Sequence, residues 1–211
     1  MFITFLVICL LFIFIFIFLT ANLGQKWLVN IDLDFTKYLA THKRNQFKNI
    51  FFKYIDKVFI LCVIGVILTT FYRLTKIEFY PSIITTFNKL SLKIFLPWIT
   101  VALIVVLIKR LIRRSRPHYM PLKVYTDNSF SFPSLHAASS IVIALGILNV
   151  LLSYSSYFNS SIIGIILLIT TLTASHILVC YSRVYLGVHY LSDVVAGTTV
   201  GFVVYGLFIR L

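Results

Sequence analysis

Six long apolar stretches without a charged residue dominate the chain. A helix needs roughly 20 residues to cross a bilayer, and in lipid only helices and closed barrels satisfy the hydrogen bonds of the backbone. The pattern therefore predicts an all-α, polytopic membrane helix bundle with six transmembrane helices, at Phe2 to Leu19, Val58 to Tyr72, Ile94 to Ile108, Ala137 to Leu152, Ile162 to Tyr181 and Val194 to Ile209.

The first three stretches need separate interpretation. The second and third are short, and we interpret them as spans that extend into their flanks, where Lys53, Lys57, Lys89 and Lys93 snorkel to the interface. The first stretch lacks the charged start and the short apolar core of a signal peptide. It is therefore predicted to be an uncleaved span.

Residues 22–57 show a helical alternation of apolar and basic positions. Ile31, Phe35 and Tyr38 fall at helical spacing, and Phe47 and Phe51 continue the pattern beyond them. We expect this interfacial amphipathic segment to lie along the membrane surface. No connecting segment is long enough for a second core, so residues 1–211 are predicted to form one integral membrane domain.

Composition supports the membrane assignment and adds a preference for anions. The chain is 60% hydrophobic and 12% charged, and 19 Lys and Arg against 6 Asp and Glu give a net charge of +13. This excess suits a protein beside anionic headgroups or anionic substrates. No nucleic-acid motif is present, and the three cysteines show no metal-binding or disulfide spacing.

A basic motif, KRLIRRSRP, follows the third predicted span. Lys109 and Arg116 are seven residues apart, about two helical turns, so they are predicted to share one helix face before Pro117 ends the helix. The pattern alone is also typical of a basic cluster that anchors a span at the membrane surface.

The stretch SFPSLHAASS begins the fourth span. Ser131 and Ser134 are candidate N-caps and Pro133 suits a first helical turn. A helix start offers free N–H groups and the positive end of the helix dipole, which together bind phosphate. His136 is then placed to act as a general acid, although a histidine that merely caps the helix is the alternative.

The stretch SRVYLGVHYLSD joins the last two spans. Arg183 closes the fifth span, Gly187 permits a tight turn, and His189 and Asp193 stand four residues apart, predicted to share one face of a helix. A carboxylate at that spacing fixes the tautomer of the ring and directs its other nitrogen outward as a nucleophile. A purely structural His–Asp bond is the alternative, but acids near membrane spans are usually functional.

Taken together, K-x6-RP at 109–117, PSxH at 133–136 and SR-x5-H-x3-D at 182–193 resemble the signature of the type 2 phosphatidic acid phosphatase family, which is related to vanadium-dependent haloperoxidases. The resemblance implies that His189 is the nucleophile, Asp193 its orienting partner and His136 the acid that protonates the leaving oxygen. It implies no metal and no other cofactor. The implied phosphate-binding residues are Lys109, Arg116, Ser134 and Arg183.

The resemblance implies a lipid phosphatase, with alternatives that the sequence leaves open. Leu135 occupies the position where the family usually has glycine, which raises the chance of a lipid headgroup phosphotransferase with an alcohol as acceptor. A lipid transporter without turnover would not need both histidines and Asp193. Haloperoxidase activity is disfavoured because those enzymes are soluble. The expected partners are a lipid phosphate substrate and the phospholipid bilayer.

Two further features have a packing interpretation. His176 is expected to bond across helices rather than to face the site, and the GxxxG of Gly197 and Gly201 is expected to pack helices within the bundle.

The family resemblance also implies a multi-pass protein of the cell (inner) membrane with an extracytoplasmic active site. The distribution of basic residues opposes this orientation, because 5 of the 19 would lie inside and 14 outside. Lys109, Arg116 and Arg183 account for part of the outer excess through phosphate binding. The five on the expected inner side are Arg73, Lys76, Lys89, Lys93 and Arg210.

Overall fold

The structure of the protein is a computed structural model that describes residues 26–41, 47–55, 91–117, 130–153 and 162–209, with the single positions 12, 57 and 61. All regular structure in these ranges is helical, including residues 47–55. The helices are α1 (Lys26–Thr41), α2 (Leu96–Ile112, preceded by a π-helical turn at Ser91–Phe95), α3 (Leu135–Ser153), α4 (Ile162–Tyr185) and α5 (Leu191–Phe208).

Four of the helices are long and apolar enough to cross a membrane. They cover Lys93–Ile112, Leu135–Leu152, Ile162–Tyr185 and Leu191–Phe208. The last four predicted spans are thus confirmed as helices of spanning length. The first two predicted spans, Phe2 to Leu19 and Val58 to Tyr72, lie almost wholly outside the described residues, so the count of six stays a prediction.

Lys93 lies at the start of the third span. Its ammonium group, which the sequence predicts to reach the interface, donates a hydrogen bond of 2.8 Å to Oδ1 of Asn149 on α3. The reason is the close approach of the π-helical turn to α3, since a Cβ built at Gly146 would lie 2.8 Å from the carbonyl oxygen of Lys93. Lys93 therefore joins two helices.

Helix α3 lies at the centre of the bundle and packs against α2, α4 and α5, most extensively against α5. The contact with α5 runs through two glycines. A Cβ at Gly197 would lie 2.3 Å from the carbonyl oxygen of Ser134, and one at Gly201 would lie 2.6 Å from that of Ala138. The prediction that this GxxxG packs helices within the bundle is confirmed.

His176, on α4, joins this helix to α3 and α5. Its Nδ1 lies 2.8 Å from the hydroxyl of Ser140 on α3, and its Nε2 lies 3.3 Å from the hydroxyl of Thr198 on α5. The expectation that His176 bonds across helices is confirmed. This buried polar bridge helps to fix the register of α3, α4 and α5.

Helix α1 is amphipathic, as the pattern predicts, and packs against α4 and α5. Ile31, Phe35 and Tyr38 are exposed on its outer side. Its inner side carries two buried polar residues, Asp32 and Thr36, together with Leu39, which packs against an apolar cluster. The apolar side therefore faces away from the protein, and the inner side brings a carboxylate into the bundle.

Candidate active site

Four helix ends meet at one end of the bundle. Lys109 lies in the last turn of α2 and Arg183 in the last turn of α4, where cations complement the negative end of a helix dipole. Ser134 immediately precedes α3, and Asp193 lies in the first turn of α5. All three sequence motifs therefore converge on one face.

The basic motif reaches the site by a route that differs from the prediction. Helix α2 ends at Ile112 because Arg113 adopts a left-handed conformation with φ of 53°, so Pro117 is not the cause. Arg116 therefore lies beyond the helix, and the prediction that it shares a helix face with Lys109 is wrong.

Both cations of this motif bind backbone carbonyl groups of the neighbouring loops. Nη1 of Arg116 donates a hydrogen bond to the carbonyl of Val188 at 2.9 Å. Lys109 Nζ donates to the carbonyls of Phe130 and Ser131.

The start of α3 is held by backbone contacts from two other motifs. The Ser131 N–H donates to the carbonyl of Arg114 at 2.8 Å, and its hydroxyl donates to that of Ser115 at 3.0 Å, so Ser131 is not an N-cap. Pro133 precedes the helix rather than lying in its first turn. Ser134 is the cap, since its hydroxyl accepts the N–H of Ala137 at 3.4 Å.

Ser134 is also tied to the third motif. Its N–H donates to the carbonyl oxygen of Asp193 at 2.9 Å, which places the starts of α3 and α5 side by side. Both polar groups of Ser134 thus have partners within the protein. The amides that can meet an anion at this helix start are those that follow Ser134, beginning with Leu135.

The next two residues are Leu135 and His136, in the first turn of α3. Leu135 packs against the apolar cluster that includes Val101, Val105 and Val200. His136 is half-buried in the first turn of α3, two residues from the cap that contacts Asp193. Leu135 thus directs its side chain into neighbouring helices.

His189 lies before α5 and not on it, so the predicted helical face shared with Asp193 is wrong. The turn after α4 contains Gly187 with φ of 65°, the positive value that its glycine permits. The N–H groups of Val188 and His189 donate to the carbonyl of Arg183 at 3.2 and 3.3 Å. This turn folds the ring of His189 back over the first turn of α5.

His189 and Asp193 nevertheless form the predicted pair. Nδ1 of His189 lies 3.4 Å from Oδ2 of Asp193, and that same oxygen accepts the N–H of Tyr190 at 3.0 Å. Asp193 is fully buried and His189 is 3% exposed. With the proton on Nδ1, the ring donates to Asp193 and leaves the lone pair on Nε2.

Burial lowers the pKa of His189 from 6.5 to about 4. The hydrogen bond and the negative charge of Asp193 act in the opposite direction, and the positive charges of Arg116 and Lys109 lower the pKa further. The imidazole is therefore neutral at physiological pH, which is the protonation state that a nitrogen nucleophile requires.

Two site residues were missed by the sequence analysis. Nη1 of Arg114 donates to Oδ1 of Asp193 at 2.8 Å and to the hydroxyl of Ser192 at 2.6 Å, and Nη2 donates to Oδ2 of Asp32 at 2.7 Å. Its guanidinium also lies 3.9 Å from the centre of the Tyr190 ring. The available signal was weak: Arg114 is one of several arginines in its motif, and Asp32 is one of two acids, with Asp34, in the same predicted segment.

The sequence model of the PAP2 superfamily matches residues 91–211, more than half of the chain. The protein belongs to the PAP2 superfamily. The matched range contains all three motifs, from Lys109 to Asp193, together with Arg114. Asp32 lies outside it.

Relatives of this PAP2 protein include two named phosphatases. Sphingosine-1-phosphate phosphatase 1 of Rattus norvegicus is 34% identical over 103 residues, which are 47% of this chain and 23% of the relative. Decaprenylphosphoryl-5-phosphoribose phosphatase of Mycobacterium tuberculosis is 37% identical over 100 residues, 46% of this chain and 48% of the relative. The match thus spans less than half of either relative.

Solved structures show the same membrane fold. The PAP2-type phosphatidylglycerolphosphate phosphatase of Bacillus subtilis aligns with a TM-score of 0.71 at 22% identity, covering 96% of this chain and 93% of that one. Aquifex aeolicus LpxE aligns with a TM-score of 0.54 at 19% identity, covering 85% and 94%. Both structural alignments therefore cover more of the chain than the family model matches.

A metal site would need clustered ligands. Within the ranges that the structure describes, no group of three His, Cys, Asp or Glu residues lies close enough to hold a metal ion. The charged groups that surround His189 in this PAP2 site are side chains of Lys, Arg and Asp.

Proposed function

We propose that this PAP2 protein is a membrane lipid phosphatase that hydrolyses a lipid phosphate or diphosphate through a phosphohistidine, without a metal. The observation that carries the proposal is the neutral, buried His189 held by Asp193 beside the positive charges of Lys109 and Arg116. The names of the two relatives, each a phosphatase of a phosphorylated compound, support the substrate class.

The first step forms a bond between Nε2 of His189 and phosphorus as the bond from phosphorus to the lipid oxygen breaks. His136 donates a proton to that leaving oxygen, and the released product is a lipid alcohol or a lipid monophosphate. Asp193 stabilises the imidazolium character that develops on His189.

The second step transfers the phosphoryl group to water. His136, now deprotonated, accepts a proton from the attacking water, the N–P bond breaks, and inorganic phosphate leaves with His189 neutral again. Leu135 packs into the apolar cluster and away from the site, so its bulk gives no reason to favour an alcohol as acceptor. Water is therefore the proposed acceptor.

Three cations are proposed to hold the phosphoryl oxygens and to stabilise the charge that spreads over them in the transition state. Lys109, Arg116 and Arg183 each have their backbone or side chain fixed by contacts to the loops of the site. Ser134 contributes by capping α3, which presents the amides that follow it. The substrate reaches this face from the bilayer, which we propose to be the extracytoplasmic leaflet of the cell membrane.

The test is phosphate release by the purified protein from a panel of lipid phosphates and diphosphates, with excess EDTA. A brief reaction with labelled substrate followed by a denaturing quench should trap a phosphoenzyme that is acid-labile and base-stable. His189→Ala should lose both label and turnover. Asp193→Asn should lose activity on the order of a thousandfold or more through the wrong ring tautomer.

His136→Ala should slow the lipid reaction yet still accept label from a substrate with an activated leaving group such as nitrophenol, because that group needs no acid. Asp34→Asn, an exposed acid on α1, is the control and should match the wild type. Full activity of His189→Ala, or activity that depends strictly on an added divalent metal, would contradict the proposal.

A further inference from the structure

The carboxylate of Asp193 divides its two oxygens between different partners. Oδ2 faces His189 and the N–H of Tyr190, whereas Oδ1 accepts a hydrogen bond from Arg114. A carboxylate with only one oxygen bound can rotate about its terminal torsion, which is broad and nearly two-fold. The contact with Arg114 therefore fixes which oxygen faces the nucleophile.

The positive charge of Arg114 also offsets the free-energy cost of burying the carboxylate of Asp193. Asp193 is fully buried, and an isolated carboxylate in such a place is strongly unfavourable unless a cation and hydrogen bonds compensate it. Its neighbour His189 is neutral before the reaction. Arg114, at 2.8 Å and with a side chain that is 22% exposed, is the cation in direct contact with Asp193 among the described residues.

Asp32 holds Arg114 from the other side and comes from a different part of the chain. Its Oδ2 accepts a hydrogen bond from Nη2 of Arg114 at 2.7 Å and another from the hydroxyl of Ser192 at 2.5 Å. Its Oδ1 accepts a hydrogen bond from the backbone N–H of Ser192 at 3.0 Å. Asp32 thus caps the first turn of α5 while it orients the guanidinium. Its negative charge suits the positive end of that helix.

We infer that Asp32 and Arg114 are positioning residues of the reaction, which hold the orienting carboxylate in a chain of contacts from Asp32 through Arg114 and Asp193 to His189. Helix α1 therefore completes the active site, although it lies outside the range that the family model matches. The inference rests on the proposed function, because it assigns these residues to the step in which His189 attacks phosphorus.

The expected effect is on the chemical step and not on substrate binding. Arg114→Gln removes the positive charge and the contacts to both Asp32 and Asp193. By analogy with partners that orient metal-binding side chains, it should lower kcat and the rate of phosphoenzyme formation about 10- to 100-fold. KM should stay within about threefold of the wild type, because Arg114 is bound to Asp32 and Asp193 rather than placed for substrate phosphate.

A double-mutant cycle separates positioning from simple tethering of α1. Because Asp32 acts through Arg114, Asp32→Asn in the Arg114→Gln background should add little to the loss, whereas independent structural contacts would give losses that multiply. Arg114→Lys keeps the charge and should recover part of the activity. Arg110→Gln, in the last turn of α2, and Asp34→Asn, on α1, are the controls, since both side chains are exposed, and they should equal the wild type.

Thermal unfolding of each detergent-solubilised variant shows whether the protein is folded. If Arg114→Gln does not fold, kcat and KM are measured for Arg114→Lys and Asp32→Asn instead, and these two variants provide the test. A kcat within twofold of the wild type in Arg114→Gln or, where that variant is unfolded, in Asp32→Asn would overturn the inference. Losses that multiply in the double variant would also overturn it.

His189→Ala distinguishes this inference from the proposed function. If His189→Ala releases phosphate as the wild type does, the histidine mechanism itself is wrong. If His189→Ala is inactive while Arg114→Gln behaves as the wild type, the mechanism stands and only the positioning role of Asp32 and Arg114 is refuted.

Discussion

The contact between α3 and α5 gives a sharp test of how the two halves of the site are held together. At Gly197 an added Cβ would lie 2.3 Å from the carbonyl oxygen of Ser134, which is a backbone atom and cannot rotate away. Gly197→Ala must therefore push the start of α3 from α5. The same two helix starts carry His136 and Asp193.

The size of the displacement follows from the distances. Real Cβ atoms do not approach such a neighbour closer than 3.0 Å, so the helices must separate by about 0.7 Å, the difference between 3.0 and 2.3 Å. The hydrogen bond from Ser134 N to Asp193 O, now 2.9 Å, would lengthen to about 3.6 Å and be lost. A misplacement near 1 Å costs about 100-fold in rate, and overpacking costs about 1–3 kcal/mol of stability.

The assay is kcat for phosphate release together with the midpoint of thermal unfolding in detergent. Gly197→Ala should lower kcat about 100-fold while most of the protein stays folded. Gly206→Ala is the control on the same helix, because a Cβ there meets no atom within 4 Å, and it should leave kcat unchanged. Wild-type kcat in Gly197→Ala would refute the claim that this contact sets the geometry of the site.

Two further predictions concern the protonation state and the orientation of the site. The imidazole of His189 should titrate near pH 4 in ¹⁵N NMR, neutral above and protonated below, and the signal should vanish in His189→Gln; a midpoint near 6.5 would contradict the neutral, desolvated nucleophile. Alkaline phosphatase fused after Leu211 should be inactive and green fluorescent protein fused there should fluoresce, as a cytoplasmic C-terminus requires; the reverse would place the site on the cytoplasmic side.

The sequence predicted which residues meet at the candidate site but misplaced the backbone that carries them. His189 and Asp193 are four residues apart, and Lys109 and Arg116 are seven apart, so both pairs fit a helical face. In each pair a helix boundary falls between the two residues. Apolar periodicity predicts the middle of a membrane helix well, but the boundary depends on single residues such as Arg113 and Gly187, whose φ values are positive.

Arg114 and Asp32 could not be found from the sequence for a different reason. They are 82 residues apart, and nothing in the pattern around either of them indicates the other. Which arginine of KRLIRRSRP turns inward is decided by where α2 ends. The buried polar residues of α1 were hidden because the apolar residues Ile31 and Phe35, which define its periodicity, face outward.

The charges brought together by these helix ends match the proposed substrate. Asp32 and Arg114 form an ion pair without net charge, and Arg114 is bound to acids rather than placed for the substrate phosphate. With the histidines left aside, four cations and two carboxylates leave two net positive charges, which balance a phosphate monoester dianion.

Asp193 faces the positive charge that His189 acquires when it attacks phosphorus, while the cations that bind substrate face the phosphoryl oxygens. This separation of roles requires that Arg114 be bound by acids on both sides, because an unpaired guanidinium beside Asp193 would compete with the developing imidazolium for its carboxylate. The groups counted are Lys109, Arg114, Arg116, Arg183, Asp32 and Asp193.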